Sequence, residues 1–352
     1  MSISQPTIGN TQFKLLEKLC NACAVSGDEG EVRKIVLEEV KPYADEVRVD
    51  ALGNVLATKR GSAENRLRVM LDAHMDEVGF ILVADEGNGI FAFQTVGGID
   101  PRQLAGKPVL VGKEHLPGVI GMKPVHMTDE DERQRKPTGD SLRIDLGPGG
   151  SAEPGDWASF ATKFKGVGPS ILSKAIDDRI GVATLIELLK HAPENIDLLA
   201  AFTVQEEIGL RGAQVAAHAF EPDLAIALDS TPAYDLPTHD GSESSFYNTK
   251  LGLGPAIYIY NSATIDDPHL VRFLKETAEA ERIPYQIRQP GGGGTDAGAI
   301  QRTHAGVPVV SVSVPHRYTH SPISISRVKD WKNTLSLLYA GLRKITPDLI
   351  QS

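Results

Sequence analysis

The sequence predicts an α/β protein: a layered αβα sandwich built on a mixed, largely parallel sheet and interrupted by an inserted small β-barrel domain. Three observations carry this expectation. From Ser173 onward, helix-period and strand-period apolar runs alternate, the pattern of a layered sheet with helices packed on it. Between about Glu77 and Lys165 the texture changes to short strand-like runs separated by Gly, Pro and charged clusters. The chain has 352 residues, too many for one small module at ~100–200 residues per domain. The expected division is 1–76 and 167–352 for the two parts of the sandwich, with 77–166 as the insert.

Taken in order, residues 11–25 set Phe13, Leu16, Leu19, Cys20 and Cys23 on one helical stripe, and 29–41 set Val32, Ile35, Val36 and Val40 on a second. Val47 and Val49 precede a turn at Gly53-Asn54, Val55 to Ala57 follows, and the nearly unbroken apolar run 67–73 reads as a buried strand. Inside the insert, strands are expected at 80–84, 90–93, 108–112, 117–121 and 157–160, with no helix. The cluster DEDERQRK at 129–136 reads as a solvated loop. Beyond it the expected order is helix 179–191, strand 197–204, helix 210–219, strand 223–228, strand 256–260, helix 267–281, strand 284–288, helix 295–303, strand 307–314 and helix 328–344.

Composition narrows the function. Thirty-six Lys plus Arg against forty-six Asp plus Glu give a net charge of −10, the wrong sign for a protein that gathers phosphates, so no nucleic-acid partner is expected. Two cysteines are too few for a disulfide framework, which points to a reducing, cytoplasmic setting. The opening MSISQPTIGN lacks a basic stretch before an apolar run, and no window is apolar enough to span a bilayer, so neither secretion nor a membrane partner is signalled.

Ionisable residues follow the apolar runs in a repeated relative position. RVMLDAHMDEVG sets His74 and Asp76 two apart at a strand end, where the two-residue period sends both side chains to one face. His74 is suited to hold a metal while Asp76 orients its ring. LLAAFTV ends in Gln205-Glu206-Glu207, DLAIAL ends in Asp229, and VPVVSVSV leads into a loop carrying His316, Arg317, Tyr318 and His320. KAIDDRIG places Asp177 and Asp178 at a helix start. Ligands of open α/β sheets gather outside the carboxyl ends of strands, where four of these groups fall. Two histidines with three carboxylates suit zinc, cobalt or manganese in a hydrolytic site. Two divalent ions against Asp177, Glu207 and Asp229 leave about one positive charge, which a bound hydroxide neutralises, and Glu206 is then free to act as general base.

At these residues the chain resembles a known family. AHMDEVG, KAIDDRIG, TVQEEIG, ALDS, GGGGTDAGAI and PHRYTHSP, with VDALGNVLA and GGIDPRQLAGKPV, are similar to metallopeptidase family forty-two, the glutamyl and tetrahedral (TET-type) aminopeptidases of the co-catalytic zinc exopeptidase clan. The resemblance implies His74, Asp177 and Asp229 around one metal and Asp177, Glu207 and His320 around the other, with Asp177 bridging. It implies Glu206 as general base, Asp76 as the orienting partner of His74, and hydrolysis of the first peptide bond of peptide substrates. It also implies dimers formed through the inserted domain, and homo-oligomers as large as dodecamers. Two positions depart from the pattern: His316 stands where a non-ligand is usual, and Leu253 replaces a residue that is often basic.

Other features are expected to be structural. Cys20 and Cys23 share the first helix's apolar stripe and read as core. The tetraglycine Gly291 to Gly294 lacks the Lys-Ser or Lys-Thr of a phosphate loop and suits close backbone approach. Ser311 and Ser313 lie within a strand with no nucleophile elbow. His115, His191 and His269 read as surface residues. The rival functions are a deacylase or carboxypeptidase on the same metals, and a noncatalytic metal-binding scaffold.

Overall fold

The computed structural model describes residues 5–240, 242, 248–289 and 293–350. Its helices are α1 (Asn10–Asn21), α2 (Gly30–Val40), α3 (Glu130–Gln134), α4 (Ile176–Lys190), α5 (Arg211–Phe220), α6 (Pro268–Glu281), α7 (Ala297–Ile300) and α8 (Val328–Lys344). The strands are β1 (Glu46–Val49), β2 (Val55–Lys59), β3 (Leu67–His74), β4 (Gly79–Asp85), β5 (Ile90–Val96), β6 (Pro108–Val111), β7 (Leu116–Met122), β8 (Leu142–Asp145), β9 (Trp157–Phe160), β10 (Lys165–Val167), β11 (Ser170–Ser173), β12 (Ile196–Thr203), β13 (Leu224–Pro232), β14 (Ala256–Ile257), β15 (Gln286–Ile287), β16 (Val309–Arg317) and β17 (Ser324–Arg327).

One large sheet runs β1-β2-β12-β3-β13-β16-β17-β11-β10, with β14 pairing both β15 and β16. Its centre, β12-β3-β13-β16, is parallel, and antiparallel strands extend it on both sides. The central strands read as apolar runs because both faces are covered. Val69, Leu71 and Ala73 of β3 join the core with α1, α2, α4, α6 and α8. Met70 points the other way, into the core with α5 and α7. The period-2 rule therefore turns Asp72 and His74 toward the α5/α7 side. Sequence also explains the helix boundaries locally: Asp267 accepts the N–H groups of His269 and Leu270 at 2.9 and 3.1 Å and Pro268 occupies the first turn, starting α6.

The second body is a closed antiparallel barrel, β4-β5-β8-β7-β6-β9, whose strands fall between Gly79 and Phe160. Closure removes free sheet edges. Phe80 stands edge-on to Phe93 and Phe160 at 5.1 and 5.2 Å in its core. Gly79 opens it where a Cβ would come within 2.7 Å of the Ala158 carbonyl, so a side chain is excluded there.

Several expectations need correction. DEDERQRK is not loop throughout: Asp129 and Glu132 form a capping box that starts the exposed α3. Helix α1 stops at Asn21, leaving Cys23 outside it. Strand β16 continues to Arg317, so His316 lies in the sheet and is fully buried. Strand β13 continues three residues past Asp229, which is therefore inside a strand. The short strands β8, β10, β11 and β17 were not anticipated, and β14 and β15 are shorter than expected. Among the described residues no helix is long and apolar enough to cross a membrane.

Candidate metal centre and catalytic pocket

The parallel register brings distant residues together. Thr203 pairs with His74, and Ala227 pairs with Asp72, so Asp229 arrives level with His74 two residues later. The chain turns immediately after β12 through Gln205, at φ +58°, which delivers Glu206 and Glu207 to the same strand end. Asp177 comes from the start of α4, where the Asp177–Asp178 peptide is cis. His320 comes from the loop between β16 and β17.

The resulting distances have a definite pattern. His74 Nε2 lies 3.3 Å from Asp177 Oδ1 and 3.8 Å from Asp229 Oδ1. His320 Nε2 lies 3.6 Å from Asp177 Oδ2 and 3.1 Å from Glu207 Oε2. Asp177 thus turns one oxygen toward each histidine. Ligand atoms of His74, Asp177 and Glu207 lie within 4.8 Å of one another, as do those of His74, Asp178 and Asp229. The Asp178 Oδ1 accepts the Gly181 N–H at 3.1 Å, leaving Oδ2 without a partner.

Electrostatics give the same picture. Burial opposes charge on His74, but hydrogen bonding to Asp177, Asp229 and Asp76 outweighs it and lifts its pKa well above the ordinary value. Burial likewise opposes charge on His320, yet Glu207 and Asp177 raise it to about 11. Asp177, though buried, is held well below the carboxylate range by His320 and His74. The carboxylates thus demand positive charge, which the two imidazolium groups supply when no cation does. Divalent ions bound by neutral imidazole and carboxylate satisfy the same demand, and this mixed nitrogen and oxygen set is the one zinc, cobalt and manganese accept. The residues fit a pair of such ions.

Asp76 is fully buried and does more than was expected of it. Its carboxylate stands 3.6 Å from His74 Nδ1, farther than its own carbonyl oxygen at 3.2 Å. It accepts the N–H groups of Glu206 and Glu207 at 3.1 and 3.2 Å and the Ser26 hydroxyl at 2.6 Å. It therefore ties the two glutamates to β3, a role with no local signal in the sequence. Glu206 takes part in no ion pair among the described residues. Burial, with Glu207, Asp296 and Asp229 adding repulsion, raises its pKa well above the ordinary carboxylate value against the pull of His74.

His316 does not join the cluster's ion pairs. Its Nε2 lies 3.2 Å from the Ser230 hydroxyl and 2.8 Å from that of Thr319, and burial lowers its pKa to about 4. Beneath the site, Glu77 accepts Lys174 Nζ at 2.6 and 2.8 Å and Arg179 at 3.1 Å, all three groups buried. This ion cluster binds the end of β3 to the start of α4 and was also missed.

The groups open onto a cavity of about 560 Å³ whose wall includes Glu206, Asp229, Tyr258, Arg288, Gly293 and His320. Arg288 is 1% exposed, holds its guanidinium 4.6 Å over the Tyr258 ring, and donates to Thr231 at 3.1 Å. No carboxylate pairs with it among the described residues. Gly293 and Gly294 do approach the site; Gly291 and Gly292 lie outside the described residues. Leu253 is exposed and away from the cavity wall.

Comparison with known proteins agrees with this architecture. The profile of the M42 glutamyl aminopeptidase family matches residues 53–337. The lysyl aminopeptidase of Pyrococcus furiosus is 33% identical over 349 residues, covering 95% of this chain and 98% of its own. The solved structure of an aminopeptidase from the archaeon Desulfurococcus kamchatkensis superposes with a TM-score of 0.91 at 35% identity, covering 97% of each chain. The TET1 peptidase of Pyrococcus horikoshii, described as assembling into a tetrahedron or a large octahedral shell, gives a TM-score of 0.83 at 32% identity, covering 95% of this chain and 100% of its own. This chain belongs to the M42 glutamyl aminopeptidase family.

Proposed function

We propose that the protein is a metal-dependent aminopeptidase that hydrolyses the N-terminal peptide bond of peptides. The observation that carries the reading is Asp177, with one carboxylate oxygen toward His74 and the other toward His320. His74, Asp177 and Asp229 would hold one divalent cation and Asp177, Glu207 and His320 a second, zinc being the first candidate and cobalt or manganese the others. Such a pair supplies a Lewis acid for the scissile carbonyl and a water acidic enough to ionise near neutral pH.

The chain's own residues do the rest. Glu206, whose raised pKa suits it to hold a proton, takes one from the attacking water and passes it to the departing amine. Asp76 is a positioning residue, fixing the Glu206 and Glu207 backbone and facing the inner edge of His74. The acidic lining favours the positively charged amino terminus of a peptide over a blocked one. Arg288 is the one Lys or Arg side chain among the described lining residues, and its lack of a carboxylate partner suits a substrate that brings one. An acidic N-terminal side chain is therefore the preferred class.

We assign residues 77–166 to the inserted barrel and 1–76 with 167–352 to the catalytic body. Homo-oligomers built through the barrel are expected, as dimers and dodecamers, on the analogy of the TET1 assemblies. The free thiols of Cys20 and Cys23 suit the cytoplasm. The test compares free-amine and N-acetylated peptides, with and without chelator. Cleavage of the free amine alone, abolished by chelation and restored by zinc, is expected; equal rates on both, or indifference to chelation, would overturn the reading.

A further inference from the structure

We propose that Cys23, Glu31 and His115 form a third cation site, of the zinc class, fastening the barrel to the N-terminal helices. Three separate segments supply the ligands: Cys23 follows α1, Glu31 lies in the first turn of α2, and His115 sits in the β6–β7 turn. One ligand atom of each lies within 4.8 Å of the others. His115 Nε2 is 2.5 Å from Glu31 Oε1, and the second Glu31 oxygen accepts the Cys23 N–H at 2.9 Å. The Ser159 hydroxyl, 1% exposed, donates to Cys23 Sγ at 3.1 Å.

A sulfur, an imidazole and a carboxylate are donors that zinc and cobalt take in tetrahedral geometry, whereas calcium and magnesium prefer oxygen alone. All three residues are half-buried, so the cluster lies near the protein surface. With bonds of ~2.0 Å, tetrahedral donors stand about 3.3 Å apart, so the His115–Glu31 contact opens by roughly an ångström on binding. The Ser159 hydroxyl is an outer partner of the kind that steadies a metal-bound thiolate. A cation binding here takes the place of the Cys23 thiol proton, as metal binding to a thiolate does. The position matters because the segment after Cys23 carries Ser26, which donates to Asp76 at 2.6 Å. A cation here steadies the support under Glu206 and Glu207 from the barrel side.

Cobalt loading of the full-length protein tests this independently of the aminopeptidase reading. The proposed catalytic ligands are nitrogen and oxygen only, so thiolate-to-cobalt charge transfer in the near ultraviolet reports the seam alone. At saturation the wild type should show this band with the intensity of one thiolate-bound cobalt per chain. Cys23→Ser and His115→Gly should abolish it and each bind one cobalt fewer than wild type, while Cys20→Ser keeps both. Glycine suits the His115 backbone, at φ +52°, and preserves the turn. No band in the folded wild type, a band surviving Cys23→Ser, or unchanged cobalt content in both variants would overturn the site. A wild type that shows the band but hydrolyses no peptide would support the seam site and count against the catalytic reading.

Discussion

Replacing Glu206 by Gln removes one proton acceptor and keeps the side chain's size. The loop should stay in place, because the residue's N–H, not its carboxylate, is what Asp76 holds at 3.1 Å. Metal content should hold as well, because Glu206 belongs to neither of the two proposed ligand sets, which the ion-pair distances place on His74, Asp177 and Asp229 and on Asp177, Glu207 and His320. What is lost is general-base catalysis, worth ~10²–10⁴ in rate. At about 1.4 kcal/mol per decade that is roughly 3–5.5 kcal/mol of transition-state stabilisation. The expected loss in kcat is therefore about 10²–10⁴-fold. Initial rates on an aminoacyl chromogenic substrate, with metal content measured on the same samples, provide the assay. The expected result is a collapsed kcat, a KM within a few-fold and unchanged metal. An unchanged rate, or a rate loss that follows metal loss, would refute the assignment of Glu206 as base.

Further predictions concern the supports of the site. Glu77→Gln leaves Lys174 and Arg179 buried without their counter-charge and should cost about 3–5 kcal/mol in urea unfolding; a change below about 1 kcal/mol would contradict the ion cluster's role. Arg288→Met should lower kcat/KM for glutamyl relative to leucyl substrates by ~10–100-fold, the worth of a charge-assisted hydrogen bond, and an unchanged ratio would exclude Arg288 as the selectivity residue. His316 has its pKa lowered from 6.5 to about 4, so the unfolded chain binds its proton first. Its contribution is present above pH 6.5 and falls by roughly 3 kcal/mol as pH drops to 4, a loss that His316→Gln should remove from the pH dependence of unfolding.

The parts readable in the sequence are those in which one segment records its own surroundings. The run before His74 is apolar on both faces because β3 is covered on both faces, and α8 buries Trp331, Leu335, Leu338 and Leu342 at helical spacing. Periodicity reports such burial directly. The ends of the apolar runs located His74, Glu206 and Glu207, since a sheet's parallel strands finish together. Asp229 and His316 show the limit: a strand can continue through a polar residue when a neighbouring strand pairs with it, as Ser313 does with Asp229 and Ser326 with His316.

Long-range polar partnerships leave no such trace. Glu77 meets Arg179 across about a hundred residues, Ser26 meets Asp76 across fifty, and Cys23 meets Ser159 across more than a hundred. Each contact depends on where the folded backbone carries the chain, not on local pattern. Cys23 looked like helix because its spacing from Cys20 and Leu16 matches one; in the structure α1 ends at Asn21, whose side chain accepts the Phe164 N–H at 3.0 Å. The strands SILS and SISR, four residues each, pair with one another but are too short to stand out alone.

Anomalous diffraction at the zinc absorption edge, from crystals of the zinc-loaded protein, would locate the cations outright. The account predicts one peak on the His74–Asp229 side of the Asp177 carboxylate and another on its Glu207–His320 side, with the seam peak at Cys23 separate from both. A single peak at Asp177, or none, would contradict a paired-cation centre and the chemistry built on it.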